Sequence, residues 1–414
     1  MNAITINNLD VVFGDKQQQA LALLDKGKSR QQIIDETNQV VGVNNVSLQI
    51  KEGEICVLMG LSGSGKSSLL RAVNGLNDIS RGELLIKDGE QTVDLANCSK
   101  AQLQHLRTHR VSMVFQKFAL MPWLTVLDNV AFGLEMQNIP KKERHQRARE
   151  QLEMVGLAEW EDKYPSELSG GMQQRVGLAE WEDKYPSELS GGMQQRVGLA
   201  RAFVMDTDIL LMDEPFSALD PLIRAQLQDE LLALQSKLNK TILFVSHDLD
   251  EALKIGNNIA IMESGELIQH GKPEEIVLNP KTNYVRDFVA HTNPLNVLKG
   301  RSLMTPVNAL EQQGNTYKVC DADELWIAQN KDTLSIVNEG HVDCLSWQIT
   351  DAIPSHVNDT TIVMVSPDIS MRDAIELKRL NNKPLLMVEN NQLVGVLHNK
   401  DVYNALLGDF QLAS

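Results

Sequence analysis

The sequence predicts an α/β protein built on a parallel sheet with helices packed against it. Apolar runs typical of buried strands occur at 55–59, 209–212, 241–245 and 259–262, and segments of helical composition separate the last three. Strands that alternate with helices form parallel sheets, because a crossover helix brings the chain back to the end from which each strand starts. The first strand runs into a turn rich in glycine and serine and then into a helix. This strand–turn–helix unit organises our interpretation of the rest.

The N-terminal part has β pattern on both sides of an insertion. Residues 3–13 alternate as a strand, and β pattern returns at 41–50 and again at 82–94. Between the first two, residues 15–41 are rich in helix formers, and the Ser-Arg-Gln-Gln stretch at 29–32 is typical of a capping box ahead of a helix. We therefore expect a short helical insertion within a β subdomain.

The turn at 60–67 fits the phosphate-loop pattern G-x-x-x-x-G-K-[ST] without a mismatch. Glycines let the backbone curl so that successive N–H groups point at one anion, and the N-terminus of the following helix adds partial positive charge. Lys66 can reach the β- and γ-phosphates of a nucleotide, and the Ser67 hydroxyl is placed to bind Mg²⁺. The predicted nucleotide-binding residues are Gly60, Leu61, Ser62, Gly63, Ser64, Gly65, Lys66, Ser67 and Ser68.

Two acids end the apolar strand at 209–212. Asp213 is expected to hold the Mg²⁺ shell, as a strand-terminal aspartate does in phosphate-loop enzymes. Glu214, one residue on, is placed to polarise a water for attack on the γ-phosphate. A strand with a solvated acidic end is the alternative, and the phosphate loop in the same chain favours the catalytic interpretation.

A second phosphate-seeking pattern lies at 189–194, Leu-Ser-Gly-Gly-Met-Gln, ahead of a helix that extends to Arg201. Ser190, Gly191 and Gly192 at a helix start would form another anion-binding nest with the helix dipole behind it. One phosphate loop and a second such helix end in a single chain suggest that two chains share each nucleotide. We therefore expect a homodimer.

With these motifs the chain resembles the ATPase subunits of ABC transporters over about residues 1–290. The resemblance implies a P-loop (RecA-like) ATPase core with antiparallel β and helical subdomains, the helical one at 99–200. It also assigns roles to four further residues. Gln116 resembles the glutamine that senses Mg²⁺ and faces the membrane subunit, and His247 resembles the switch histidine that contacts the γ-phosphate. Asp220 resembles part of the loop that communicates across the dimer. Phe13 resembles the aromatic that stacks on adenine, with a core phenylalanine as the open alternative.

The likeness narrows to the importers of quaternary amines. It is carried by the insertion at 15–41 and by the sequences at 59–67, 218–224 and 247–252. It implies an ATPase that uses ATP and Mg²⁺ at the cytoplasmic face of the inner (plasma) membrane. This peripheral subunit would energise import through a separate integral permease, served indirectly by a substrate-binding protein. Choline is the leading substrate on overall likeness, with glycine betaine and proline as the others.

An internal repeat complicates the second motif. Residues 155–175 recur without a change at 176–196. The second copy leads into an uninterrupted helix, whereas a helix from the first copy, at 169–171, would meet Pro186. Ser190 and Gly192 are therefore preferred, and one unit must loop out. A catalytically impaired regulatory subunit stays open as an alternative.

The tail at 291–414 is predicted to be a separate small α/β domain. Its segment at 361–401 resembles one CBS motif, and a partner motif starting near 304 is degenerate. A hairpin turn is expected at 389–392. These features favour an oligomerising or regulatory role.

Composition excludes several classes of function. The formal net charge of −16 disfavours nucleic-acid binding, because phosphate contacts need basic surface. No stretch approaches the run of about 20 apolar residues that spans a bilayer, and the start lacks a signal peptide, so a membrane connection is expected to run through a partner. Reduced thiols without metal-ligand spacing are expected at Cys56, Cys98, Cys320 and Cys344. A soluble ABC-type ATPase unconnected with transport is a further alternative, although such proteins usually carry two cassettes or a basic surface.

Overall fold

The computed structural model describes residues 1–116, 119–165, 186–217, 219–290, 297–320, 325–330, 333–337, 343–346, 356, 361–380 and 383–407. Contacts divide the chain into two compact units, Met1–Lys272 and Pro273–Ser414. The predicted division after residue 290 stays a prediction. Among the described residues, no helix combines the length and the apolar character needed to cross a bilayer.

The first unit begins with an antiparallel sheet whose strands follow the order β2-β1-β4-β5. Its strands are β1 (Asn2–Phe13), β2 (Val40–Lys51), β4 (Arg81–Asp88) and β5 (Gln91–Asp94). The β pattern predicted at 3–13, 41–50 and 82–94 is therefore confirmed. One face of the sheet is apolar and joins the main core, which explains the alternation along β1.

The second sheet has the order β10-β9-β3-β8-β7-β6 and is parallel except for the β9–β10 hairpin. Its strands are β3 (Ile55–Met59), β6 (Val111–Val114), β7 (Ile209–Asp213), β8 (Thr241–Val245), β9 (Asn258–Glu263) and β10 (Glu266–Gly271). The carboxyl ends of β3, β7 and β8 meet at one edge, so the loops that follow them lie close together. This edge positions the site.

Four helices accompany these sheets in the described part of the unit: α3 (Lys66–Val73), α4 (Lys100–His109), α8 (Pro221–Leu238) and α9 (Leu249–Ile255). α3 buries Leu69, Leu70 and Val73 in the core that both sheets share. That packing fixes the direction in which its first turn faces.

The predicted helical segment contains α5 (Val126–Met136), α6 (Lys141–Met154) and α7 (Pro186–Val204). These helices share a core to which α5 contributes Val130 and Leu134, α6 contributes Leu152 and α7 contributes Val197. β6 is the difference: the sequence places it inside the helical segment, but it pairs in parallel with β7 as an edge of the main sheet. Four residues are too few to show strand periodicity.

The insertion after β1 folds into α1 (Gln17–Leu24) and α2 (Arg30–Thr37). The predicted capping box is confirmed: Ser29 accepts from the backbone of Gln32, whose side chain accepts from the backbone of Ser29. α2 ends at Asn38, which has the left-handed conformation. The insertion has an apolar cluster of its own, centred on Ile33.

The second unit contains a mixed sheet of order β11-β19-β18-β17-β16 and an antiparallel sheet of order β12-β13-β14-β15. The strands are β11 (Thr305–Pro306), β12 (Gln312–Gln313), β13 (Thr316–Cys320), β14 (Leu325–Asn330), β15 (Thr333–Ile336), β16 (Asp343–Ser346), β17 (Thr361–Val365), β18 (Leu385–Glu389) and β19 (Gln392–Leu397). The described helices are α10 (Pro273–Leu278), α11 (Asn283–Val289), α12 (Gly300–Leu303), α13 (Met371–Leu380) and α14 (Asn399–Leu407). The predicted hairpin is confirmed, and both of its turn residues, Asn390 and Asn391, have positive φ as a type I′ turn requires. The CBS assignment stays a prediction.

Candidate active site

The loop between β3 and α3 has a shape that only glycine permits at two positions. Gly60 has a φ of 141° and Gly65 a φ of 103°. A Cβ on Gly60 would overlap the carbonyl oxygen of Met262, and one on Gly65 would overlap the carbonyl oxygen of Gly42. Neighbouring backbone therefore presses the loop into its curled form, as a phosphate cradle requires.

The loop closes around its own lysine. Lys66 is 5% exposed, and its Nζ donates to the carbonyl oxygens of Gly60 at 2.8 Å and of Leu61 at 3.0 Å. Burial lowers the pKa of Lys66, while the nearby carboxylates of Glu214 and Asp213 act in the opposite direction. The ammonium is thus held over the loop with two carboxylates in its field.

The hydroxyl group of Ser64 in this loop also fits a phosphate. The Ser64 hydroxyl is buried beside Gly60 and has no hydrogen-bond partner among the residues that the structure describes. A buried hydroxyl without a partner is costly, and a phosphate oxygen could accept its hydrogen bond.

A hydroxyl and a carboxylate meet where the first turn of α3 faces the end of β7. The Ser67 Oγ donates to Asp213 Oδ1 at 2.9 Å, and Asp213 is 3% exposed. Arg71, one turn further along α3, lies 3.4 Å from Asp213 Oδ2. Hydroxyl and carboxylate oxygens are ligands that Mg²⁺ accepts, so this pair fits a divalent cation. Arg71 was not predicted, although its spacing of four residues from Ser67 places both side chains on one face of α3.

Two predicted residues, Gln116 and His247, lie beside one carboxylate oxygen of Glu214. Gln116 Nε2 donates to Glu214 Oε2 at 3.1 Å, and His247 Nδ1 lies 3.4 Å from the same oxygen. Glu214 has a φ of 46°, which is uncommon for a residue with a side chain. Its backbone N–H donates to the Val245 carbonyl oxygen at 3.1 Å, and its own carbonyl accepts from the Ser217 hydroxyl at 3.0 Å. These bonds hold the carboxylate in a fixed, mildly strained position.

Asp220 forms the N-cap of α8. Its Oδ1 accepts from the backbone N–H groups of Leu222 at 3.0 Å and Ile223 at 3.1 Å. Its Oδ2 is buried and has no hydrogen-bond partner in the described chain. The capping role accounts for one oxygen only, and the predicted role across a dimer stays a prediction.

Phe13 lies beside the phosphate loop and not in the core. It is 40% exposed, which excludes the core alternative. A Cβ on Gly42 would lie 2.6 Å from the Phe13 ring and 3.1 Å from the Ser68 hydroxyl, so ring and hydroxyl flank the same glycine. An exposed ring at the end of β1 is therefore available for stacking next to the loop.

The position of the second phosphate-seeking motif within its helix differs from the prediction. Ser190, Gly191 and Gly192 lie inside α7, which begins at Pro186, so the predicted helix start at Ser190 is wrong. Proline is favoured in a first helical turn because it lacks the N–H that would have no partner there. The first copy, at 169–171, and the side chains of Ser190 to Gly192 lie outside the described residues.

Another contact that the sequence did not indicate joins the insertion to the loop. Arg30 Nη1 donates to the carbonyl oxygen of Gly63 at 3.0 Å. The capping box predicted that α2 exists, but a helix prediction does not tell which neighbour its first residue faces.

The chain is similar to known ATP-binding proteins of ABC transporters. The family model for ABC transporters matches residues 43–182 and 179–217. The glycine betaine/proline betaine transport system ATP-binding protein ProV of Salmonella typhimurium is 50% identical over 69% of this chain, and the match spans 65% of that relative. The glycine betaine/carnitine transport ATP-binding protein GbuA of Listeria monocytogenes is 38% identical over 99% of this chain and 98% of its own length.

A more distant relative and a solved structure are similar to the chain as well. The choline transport ATP-binding protein OpuBA of Bacillus subtilis is 32% identical over 89% of this chain and 93% of its own length. Among solved structures, a dimeric ATP-binding cassette in a post-hydrolysis state with ADP and Pi is 28% identical, with a TM-score of 0.51. That match covers 65% of this chain and 98% of the other.

Proposed function

Because this chain belongs to the family of ABC transporter ATP-binding proteins, we propose that it hydrolyses ATP to energise import of a quaternary amine through a separate permease. The observation that carries the proposal is the grouping of Gln116 and His247 around the Glu214 carboxylate, close to the Ser67–Asp213 pair. These side chains come from four separate segments, and each matches a role that hydrolysis requires.

The nucleotide would lie along the loop at 60–67. Backbone N–H groups of the loop and the buried Ser64 hydroxyl would bind phosphate oxygens, and Lys66 would transfer its hydrogen bonds from loop carbonyls to the phosphates. Phe13 would stack on the adenine. Ser67 and Asp213 would hold Mg²⁺, with Gln116 as a further ligand in the closed site. Bound Mg²⁺ neutralises charge on the phosphate oxygens.

Hydrolysis would depend on position and charge. Glu214 would accept a proton from the attacking water, because its carboxylate is fixed by the contacts of its own backbone. Gln116 and His247 would orient that water and the γ-phosphate. The chemistry of phosphoryl transfer asks for little more than such placement.

The active form would be a homodimer in which two chains share each nucleotide. Ser190, Gly191 and Gly192 of one chain would face the loop of the other, and the Asp220 oxygen left without a partner would contribute at the same interface. The second copy of the repeat, at 176–196, contains this motif. The alternative of an impaired regulatory subunit therefore stays tied to one question: whether the repeat permits dimer closure.

The membrane partner would bind near Gln116. Trp123, seven residues further along the chain, is 72% exposed, and aromatic side chains are enriched in surfaces that bind partner proteins. The chain would act as a peripheral subunit at the cytoplasmic face of the plasma membrane, and a substrate-binding protein would deliver the amine to the permease. The higher identity to relatives named for glycine betaine than to the one named for choline favours glycine betaine within the group.

Nucleotide binding by Lys66→Ala, measured with a fluorescent ATP analogue, tests the site. We expect binding to be lost, because a buried charge that contacts the phosphates is removed. Lys87→Ala is the matched control, since Lys87 pairs with Glu52 in the antiparallel sheet. Tight binding by Lys66→Ala would refute the assignment.

Transport needs a second experiment. The chain is purified from native membranes, and the proteins that accompany it are identified. A permease that co-purifies, together with uptake of labelled glycine betaine that Lys66→Ala abolishes, would support the proposal. ATPase activity with neither would favour the soluble ATPase.

A further inference from the structure

The insertion between β1 and β2 brings a guanidinium group to the phosphate loop. Arg30 is the first residue of α2, and its Nη1 donates to the carbonyl oxygen of Gly63 at 3.0 Å. Gly63 lies in the middle of the loop and is exposed. The arginine therefore adds positive charge at the rim of a site built for a polyanion.

Arg30 is held in place by a packed core. Ile33, one turn further along α2, is fully buried and packs with Ala20 of α1 and with Val12 and Val41 of the adjoining strands. The capping box fixes the first turn of the helix as well. The guanidinium is thus positioned before any ligand arrives, so its ordering adds little to the entropy cost of binding.

The charge of Arg30 has no carboxylate beside it in the described structure. The acids of its own helix are engaged elsewhere: Asp35 accepts from Gln31, and Glu36 pairs with Lys28. Burial lowers the pKa of Arg30. A guanidinium that is partly removed from water without a carboxylate is unfavourable alone and favourable beside an added anion.

We propose that Arg30 is a further nucleotide-binding residue, which contacts the phosphate chain of the bound nucleotide from the side of the insertion. The proposal rests on the proposed function, because it requires a nucleotide in the loop at 60–67. One of its N–H groups keeps the bond to Gly63, and the planar fork leaves others for phosphate oxygens. The insertion would then form an additional wall of the nucleotide site.

The test compares Arg30→Met with Arg30→Lys in the full-length chain. The dissociation constant of a fluorescent ATP analogue is measured at ionic strengths from about 0.01 M to about 1 M, over which the Debye length falls from about 30 Å to about 3 Å. Lys28→Met is the matched control, because it removes a cation of the same insertion that pairs with Glu36. Thermal unfolding checks each variant, and Arg30→Gln replaces Arg30→Met if that variant does not fold.

A direct phosphate contact predicts that Arg30→Met weakens binding about tenfold at low ionic strength. The loss should shrink at high ionic strength, and Arg30→Lys should keep the salt dependence of the wild type. An equal loss at every ionic strength would mean that Arg30 acts only on the shape of the loop, and values matching Lys28→Met would mean that it has no role. Either result overturns the proposal. If the wild type does not bind, or Lys66→Ala binds equally well, the proposed function fails instead.

Discussion

Replacing Glu214 by glutamine removes the proposed base and leaves its surroundings almost unchanged. The glutamine keeps the length of the side chain, and its amide oxygen can still accept from Gln116, which donates at 3.1 Å in the wild type. The backbone contacts that hold residue 214 at a φ of 46° do not involve the side chain. The variant therefore keeps the geometry and removes the negative charge, and with it the ability to accept a proton from water.

The expected effect of the substitution on the hydrolysis rate is much larger than its effect on the free energy of unfolding. General-base catalysis contributes about 10² to 10⁴ in rate, so we expect the hydrolysis rate of Glu214→Gln to fall by at least about a hundredfold. The Glu214 carboxylate lies 3.4 Å from His247, whose side chain is 57% exposed and which forms an ion pair with it only when the imidazole is protonated. Exposed pairs contribute at most about 1 kcal/mol to the free energy of unfolding. Activity should therefore collapse while stability hardly changes.

The assays are phosphate release and size-exclusion chromatography with and without ATP. Glu83→Gln is the control, because this exposed glutamate of β4 accepts a hydrogen bond from Asn7 in the antiparallel sheet. We expect Glu214→Gln to bind ATP and to elute as a dimer only when ATP is present. Retention of more than a tenth of the wild-type rate would refute the assignment of the base. A persistent monomer that binds ATP would mean that the repeat blocks closure.

Two further predictions concern packing and charge. Ile33→Ala should lower the free energy of unfolding of the insertion by about 2–4 kcal/mol, because the side chain is fully buried. Hydrogen exchange over residues 17–37 measures this loss. Ile34→Ala is the control, because Ile34 is only half-buried. In the second unit, burial lowers the pKa of Lys378 to about 8. The unfolded chain then binds the proton more tightly, so stability should rise by about 3 kcal/mol between about pH 8 and about pH 10.5. Denaturant unfolding of Lys378→Met should lack this rise, and an identical rise in the variant would contradict the cause.

The phosphate loop and the strand-end acids could be predicted because each is a local pattern in a recognisable strand–turn–helix context. Buried parallel strands such as β7 and β8 could also be predicted, because they are continuous apolar runs. β6 was missed because four residues beside helical segments carry no period. The contact of Arg30 with Gly63 depends on how α2 docks, which local sequence does not encode. The start of α7 was misplaced because serine and two glycines were expected to begin the helix, which already begins at Pro186, where proline fits a first turn.

The two copies of the repeat contribute residues to one packed region. Val155 and Leu157 of the first copy and Met193 of the second belong to the same apolar core. Gln194 of the second copy donates to the Pro165 carbonyl of the first across 29 residues of chain. Because the copies are identical, removing 176–196 leaves Met172 to take the place of Met193 in that core. The bond from Gln194 would be lost, because Pro165 would then occupy the position from which Pro186 begins α7, about two helical turns from the corresponding glutamine.

The deletion also about halves the chain that joins Leu157 to Val197, which should raise the free energy of unfolding by about 0.6 kcal/mol. The lost hydrogen bond costs about 1 kcal/mol, so the two effects nearly cancel. The thermal midpoint of the deletion variant should therefore stay within about 2 °C of that of the full chain, measured by calorimetry. A much lower midpoint would mean that the second copy makes contacts the first cannot replace. Faster hydrolysis at a similar midpoint would identify the extra 21 residues as a burden on dimer closure and not as part of the catalytic design.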